Sequence, residues 1–148
     1  MSVHYKERNE VLKLSLEIKP SIITIVGGAI VTSNPKVTCW GIKNIDYGII
    51  GEGEETIVEL ADAIINEKDI SLIKGIAYFN NDEYIITEER IPVKNLDTIP
   101  FPDYDGFEYK EYMKLFRPSE SHFFSVLDDV RPGFIMASRS CPFVCTFC

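Results

Sequence analysis

The most restrictive feature of this 148-residue sequence is a short apolar, β-branched run at Ser21–Val26 that ends in Gly27-Gly28. Consecutive apolar side chains favour a strand that is covered on both faces, as parallel strands are when helices pack on each side of the sheet. A second buried strand is predicted over Asp46–Ile50, and Gly51-Glu52-Gly53 connects it to a helix. Strand, glycine turn and helix in this order predict an α/β fold.

Two amphipathic helices flank these strands. The first is predicted over Tyr5–Ile18, before Pro20. The second follows Gly53, and its apolar residues recur at helical spacing: Ile57, Leu60, Ala61, Ile64 and Ile65. The polar stretch 32–43 is predicted to be irregular. Together these elements predict a partial, Rossmann-like doubly wound sheet.

A hairpin and a linker are predicted after this sheet. Residues 75–79 and 84–87 flank a turn-rich tetrapeptide. Three prolines between residues 90 and 106 are typical of an extended linker. A short aromatic helix near 107–116 and a strand at 134–138 complete the predicted elements.

We therefore expect three parts along the chain. Residues 1–70 form the α/β sheet, residues 71–130 form the hairpin and linker, and residues 131–148 begin a second domain. The composition of the linker within residues 71–130 marks this segment as the division between the two domains.

The composition restricts the partners. The net charge of −8 argues against a nucleic-acid partner, because clustered Lys and Arg supply most of the affinity for phosphates. The apolar stretches are far shorter than the roughly 20 residues of a membrane span. The charged N-terminal segment does not have the pattern of a signal peptide. We expect a cytoplasmic protein with a real hydrophobic core.

Three of the four cysteines lie in the last eight residues, at Cys141, Cys145 and Cys148, with the spacing C-x3-C-x2-C. Such a cluster in a cytoplasmic protein binds metal more often than it forms disulfides. A structural zinc site would require a fourth ligand. The candidates for it are distant in sequence: Cys39, His4 and His122. A [4Fe-4S] cluster with only three protein thiolates would leave one iron open to a substrate or cofactor.

This spacing, with Phe147 directly before the last cysteine, resembles that of the radical S-adenosylmethionine (SAM) enzymes. The resemblance implies that Cys141, Cys145 and Cys148 hold a [4Fe-4S] cluster whose open iron chelates SAM. It implies that Phe147 packs near the adenine, and that the strand before Cys141 is the first of a partial β/α barrel. It also implies that the reduced cluster cleaves SAM to a 5′-deoxyadenosyl radical, which removes hydrogen from an unreactive carbon.

Two other segments, Leu96–Tyr104 and Ala137–Pro142, resemble the linker and barrel start of radical SAM proteins that carry an N-terminal cobalamin-binding domain. The family usually has Gly where Ser140 stands. Gly27-Gly28 and Gly51-Glu52-Gly53 resemble the last turns of the cobalamin domain, where glycines let the backbone approach the nucleotide tail.

The glycine turns also have a simpler interpretation, because tight turns at strand ends need positive φ whatever they bind. The D-x-H-x-x-G motif with which family members ligate cobalt does not occur in the sequence. That absence argues against cobalamin binding by this chain, so cobalamin is only a candidate third cofactor beside the cluster and SAM.

The resemblance implies a fragment of a cobalamin-domain radical SAM enzyme that catalyses methyl transfer, cyclisation or rearrangement of a small molecule. A flavodoxin- or ferredoxin-type reductant is the expected partner of the intact enzyme. No residue is assigned as a catalytic acid or base, and we expect no SAM cleavage by this chain alone. The alternative is a small zinc- or other metal-binding interaction module without catalysis.

Overall fold

The computed structural model describes residues 5–42, 44–81, 83–115, 139 and 146. The chain divides into two compact units, Met1–Pro100 and Phe101–Cys148. The helices are α1 (Tyr5–Ile18), α2 (Ala29–Ser33), α3 (Pro35–Gly41), α4 (Glu54–Ile65) and α5 (Tyr109–Leu115). The strands are β1 (Ile25–Val26), β2 (Tyr47–Ile49), β3 (Ile76–Asn80) and β4 (Glu83–Ile86).

The four strands form one mixed sheet in the order β1-β2-β3-β4. β1 and β2 are parallel, as expected, with Ile25 opposite Tyr47. β3 runs antiparallel to β2, with Tyr78 opposite Tyr47, and β4 runs antiparallel to β3. The hairpin, which we expected to follow the sheet, therefore supplies its third and fourth strands. Antiparallel strands at the edge of a parallel sheet are common in α/β folds, because they pair the open edge.

Helices cover the two faces of this sheet. On one face α4 contributes to a buried cluster formed by Leu60, Ala63, Ile73 and Ile76. Gly48 faces the other side, because adjacent residues of a strand point to opposite faces. A Cβ atom at Gly48 would lie 3.0 Å from the Cys39 Sγ atom and 3.2 Å from the Val31 Cγ1 atom. The absence of a side chain at Gly48 thus lets α2 and α3 pack directly on β2.

The segment 32–43 is not irregular as predicted, because α2 and α3 occupy most of it. Asn34 caps α3: its Oδ1 atom accepts a hydrogen bond of 3.3 Å from the Val37 amide. Pro35 occupies the first turn, where its missing N–H has no helical partner to lose. The Asn-Pro pair was the local signal for this helix.

The strand predicted over Ser21–Val26 is shorter than expected. The Ile22 amide donates to the Lys19 carbonyl at 2.9 Å, so a turn occupies the beginning of the predicted run. Ile22 and Ile23 precede β1 and are 38% and 45% exposed. The apolar run therefore contains both a turn and a strand.

The buried face of α4 also differs from the predicted one. Leu60 is fully buried, as its helical spacing indicates, but Ile57 is 38% and Ile65 is 77% exposed. Thr56 is fully buried instead. Its hydroxyl accepts a hydrogen bond of 2.8 Å from Arg90 Nε, which compensates for burial of the polar group.

Other predicted elements are observed with small changes in bounds. The first helix is confirmed as α1, the second as α4, and the aromatic helix near 107–116 appears as α5. Within the second unit the rings of Tyr104 and Tyr109 lie 5.1 Å apart between centroids. The strand predicted at 134–138 lies outside the described residues. In the described ranges, no helix combines the length and apolarity needed to cross a bilayer.

Candidate functional site

A cavity of about 690 Å³ lies where β1 and β2 end. Gly28 follows β1, Gly51 and Glu52 follow β2, and all three line the cavity. Parallel strands end at the same edge of a sheet, which is why two turns far apart in sequence meet. Of the predicted glycine-turn residues, Gly27 and Gly53 do not line the cavity.

Backbone conformation explains two of these glycines. Gly28 has a φ of 96° and Gly51 a φ of 78°, and a Cβ atom at either would meet nothing within 4 Å. Such backbone angles favour glycine irrespective of space. Positive φ alone therefore accounts for glycine at these two positions. The structure adds that both turns line the same cavity.

Thr32 connects the two glycine turns. Its hydroxyl oxygen accepts a hydrogen bond of 3.0 Å from the Gly51 amide and donates one of 3.2 Å to the Gly28 carbonyl. Thr32 also lines the cavity. Sequence reasoning missed this residue, because its link to Gly51 exists only once β1 and β2 are side by side.

The chain segment after β4 forms another wall of the cavity, with Thr87, Glu89, Arg90 and Pro92 among the lining residues. The Glu52 carboxylate accepts a hydrogen bond of 2.7 Å from the Val93 amide. The turn after β2 and the beginning of the predicted linker are therefore in direct contact.

Arg90 anchors the same wall to α4. Its side chain is only 12% exposed, and its guanidinium pairs with Glu55 at 3.0 Å and with Glu59. A third bond runs from Nε to the Thr56 hydroxyl. The planar guanidinium can serve three acceptors at once, which a lysine ammonium at the end of a flexible stem cannot do in this geometry.

The charges of the cavity select against a phosphate. Glu52 and Glu89 line it, and the charge of Arg90 is already compensated by Glu55 and Glu59. Apolar groups supply much of the remaining lining: Ala29, Pro35, Ile50, Ile86 and Pro92. An uncharged, partly apolar group fits this lining better than a free anion does.

Cys39 is buried away from this cavity lining, at 7% exposure. Burial raises the pKa of its thiol, which disfavours the thiolate that binds metal. Among the described residues, no group of three His, Cys, Asp or Glu side chains could hold a metal ion.

The predicted metal ligands, Cys141, Cys145 and Cys148, lie outside the described residues, as does Phe147. Near them the structure describes Thr146, which is exposed, and Arg139, which is partly buried. The assignment of these cysteines and of Phe147 therefore stays a prediction.

Comparisons with known proteins find relatives along most of the chain. It is 33% identical over 138 residues to an uncharacterized methyltransferase, PH0819, of Pyrococcus horikoshii. It is 28% identical over 142 residues to the anaerobic magnesium-protoporphyrin IX monomethyl ester cyclase of Cereibacter sphaeroides. The matches cover 93% and 94% of this chain. No protein-family model matches the chain.

Among solved structures, the fold is similar to that of the radical S-adenosylmethionine methyltransferase TsrM from Kitasatospora setae, determined with tryptophan substrate and a SAM analogue bound. The TM-score is 0.52 at 22% identity, over 57% of this chain and 15% of TsrM. These similarities support the cobalamin-domain subgroup of the radical SAM family as the family that this chain resembles. The resemblance recognised in the sequence is thereby confirmed.

The chain spans 27% and 21% of the lengths of the two curated relatives. Their reactions are properties of much longer proteins. The likeness is therefore one of sequence and fold, and the cofactors and reaction of this chain are matters for a proposal.

Proposed function

We propose that this chain is the part of a radical SAM enzyme in which a cobalamin-binding sheet leads to the iron–sulfur loop. Cys141, Cys145 and Cys148 ligate a [4Fe-4S] cluster, and Phe147 packs beside the adenine of SAM. The cavity at the ends of β1 and β2 receives the heterocyclic base of cobalamin's nucleotide tail, and the phosphate of that tail lies outside the acidic lining. The intact enzyme acts on a small molecule by methyl transfer, cyclisation or rearrangement, with electrons from a flavodoxin or ferredoxin.

One observation carries this proposal. In a chain with radical SAM relatives along nearly its whole length, Gly28 and Gly51-Glu52 line one cavity at the carboxyl ends of parallel strands. Ligands of open α/β sheets bind at this edge. The mixed polar and apolar lining suits a heterocyclic base better than a free phosphate.

The residues of the chain have simple tasks in this scheme. Three thiolates hold the cluster and leave one iron for the amino and carboxylate groups of SAM. Gly28, Gly51 and Thr32 shape the turns against which the nucleotide tail lies. When bound, the cofactors supply electron transfer and radical or methyl-transfer chemistry, and the protein supplies binding, orientation and exclusion of water.

Anaerobic reconstitution with iron and sulfide tests the cluster. Wild-type protein is expected to bind both and to develop sulfide-to-iron charge-transfer absorbance. The variant C141A/C145A/C148A is expected to develop none, whereas C39A, which removes the buried cysteine, retains it. One zinc per chain after aerobic purification, without that absorbance after reconstitution, would instead support the zinc module.

Corrinoid binding tests the cavity. Equilibrium dialysis should detect binding of hydroxocobalamin, and weaker binding of cobinamide, which has the corrin ring without the nucleotide tail. Equal binding of the two compounds would contradict the assignment of the cavity to the tail. The control is G27A, which changes a neighbouring glycine outside the cavity lining and should bind hydroxocobalamin as wild type does.

A further inference from the structure

The segment 87–93, which contributes Thr87, Glu89, Arg90 and Pro92 to the cavity wall, is held at two points. Arg90 is bound by the side chains of Glu55, Thr56 and Glu59 on α4. Val93 is bound through its amide by the Glu52 carboxylate, at 2.7 Å. The first contact fixes the wall to a helix, and the second fixes it to the glycine turn that lines the cavity.

The Glu52 contact is suited to this purpose. A carboxylate that accepts from a backbone N–H forms a charge-assisted hydrogen bond, which is stronger than a neutral one. Gly51, next to Glu52, is itself held by Thr32, since its amide donates to the Thr32 hydroxyl at 3.0 Å. Displacement of the turn after β2 would therefore strain contacts on two sides.

Residues 87–93 also continue directly into the segment 94–100, at which the first compact unit ends. The Gly75 amide donates to the Glu88 carbonyl at 2.8 Å, so the sheet holds the beginning of the wall. Beyond Glu88, Arg90 and Val93 supply the side-chain and main-chain anchors. Val93 is the anchor nearest to the second unit along the chain.

Resting on the proposed function, we propose that Glu52 is a positioning residue that couples occupation of the cavity to the placement of residues 87–93. A ligand that orders the glycine turn stabilises the Glu52–Val93 contact, and the contact in turn strengthens binding of that ligand. Such coupling is reciprocal by thermodynamic necessity. Glu52 thereby connects the corrinoid cavity to the segment that leads toward the iron–sulfur loop.

Two substitutions separate the carboxylate's acceptor role from its charge. E52A removes the acceptor for the Val93 amide, whereas E52Q retains a carbonyl oxygen that can accept the same bond. E10A removes one exposed carboxylate from α1 and is the matched control. All four proteins are used as the full chain.

The experiment measures hydrogen exchange at residues 91–95 with and without hydroxocobalamin, together with the dissociation constant. In wild type, hydroxocobalamin is expected to slow exchange at Val93. In E52A, exchange without corrinoid should be about tenfold faster and affinity about tenfold lower, the effect of losing one hydrogen bond to a charged group. E52Q should restore part of both values, because its neutral carbonyl accepts a weaker hydrogen bond than the carboxylate does, and E10A should match wild type.

The two proposals fail in different ways. If wild type and E52A bind hydroxocobalamin equally and exchange at Val93 does not respond, the coupling is wrong and the cavity assignment stands. If no variant binds hydroxocobalamin, the cavity assignment is wrong and the coupling fails with it. Loss of affinity in E52Q equal to that in E52A would also overturn the positioning role, because the acceptor oxygen is still present.

Discussion

At the scale of single residues, adjacent glycines in the first turn have different tasks. Gly28 has a φ of 96° and a ψ of 178°, a conformation that is essentially restricted to glycine. A Cβ atom at Gly27 would instead lie 3.7 Å from the Ile49 Cβ atom, which is an ordinary contact. Gly28 lines the cavity and Gly27 does not.

Alanine substitutions should therefore separate the two glycines. G28A is expected to lower the free energy of unfolding by about 1–3 kcal/mol, because the strained backbone has to be kept with a Cβ atom or given up. G27A should change it by less than about 0.5 kcal/mol. Urea unfolding of both variants is the measurement, and equal losses would contradict the conformational argument.

Tyr84 carries a buried hydroxyl that has no hydrogen-bond partner among the described residues. Its ring packs against Phe79, with 5.3 Å between centroids. Desolvation, with a smaller contribution from Cys39, raises the pKa of Tyr84 to about 12. An unpaired buried hydroxyl is a destabilising feature, since its desolvation is not compensated.

This environment predicts a pH-dependent effect of Y84F. In the unfolded chain the phenol loses its proton near pH 10, whereas the folded protein keeps it up to about pH 12. Between these values the unfolded state binds fewer protons, so stability falls as pH rises. Y84F should abolish this part of the alkaline loss and should be at least as stable as wild type at neutral pH.

Thermal unfolding at pH values from neutral to alkaline measures the difference. Y112F, at a tyrosine that is 60% exposed, is the control. An alkaline loss in Y84F as steep as that of wild type would show that this hydroxyl is not the group that titrates.

At the scale of elements, Arg90 holds the chain after β4 against α4. Three acceptors on one helix surround its guanidinium: Glu55, Thr56 and Glu59. The side chain of Arg90 is 12% exposed, whereas those of Glu55 and Glu59 are 59% and 50% exposed, so the bond to the buried Thr56 hydroxyl is the one best shielded from water. This contact fixes one wall of the cavity.

R90K tests the contact while keeping the charge. We expect it to lower the free energy of unfolding by about 1–3 kcal/mol, because an ammonium cannot serve the three acceptors together and leaves the buried Thr56 hydroxyl without its Arg90 donor. The control K68A breaks the exposed pair of Lys68 with Asp62 and should lower the free energy of unfolding by less, because water and salt screen an exposed pair. Urea unfolding measures the free energy of unfolding of both variants. A smaller effect of R90K than of K68A would contradict the proposed anchoring role of Arg90.

The accuracy of the sequence predictions at this scale depended on how local the signal was. α1, α4 and the hairpin were recognised, because period and turn residues are contained in one segment. α2 and α3 were missed, although Asn34-Pro35 carried a capping signal. The buried face of α4 was misjudged at Thr56, whose partner Arg90 is 34 positions away.

At the scale of the molecule, the proposed cluster and the core of the first unit use different residues. Leu60, Ala63, Ile73 and Ile76 form the buried cluster on the α4 face of the sheet. The proposed metal ligands are the cysteines at 141, 145 and 148. Burial of apolar side chains, rather than metal ligation, stabilises the first unit.

Removal of iron should therefore leave the first unit folded. An iron chelator added to the reconstituted protein is expected to abolish the charge-transfer absorbance and to leave the helical circular dichroism and the main thermal transition unchanged. Loss of the main transition together with the iron would mean that metal binding and folding of the first unit are linked. Incubation of C141A/C145A/C148A with the same chelator is the control.

The sequence by itself indicated the family that the chain resembles, the α/β class and the glycine turns, because motif spacing and periodicity are local properties of the chain. The tertiary structure decided what those turns face. Only the parallel pairing of β1 with β2 brings Gly28 and Gly51 to one cavity, and only the return of the chain after β4 gives Glu52 and Thr56 their partners. The two partners lie 41 and 34 positions away along the chain, and no local pattern encodes them, since packing selects them after the elements have formed.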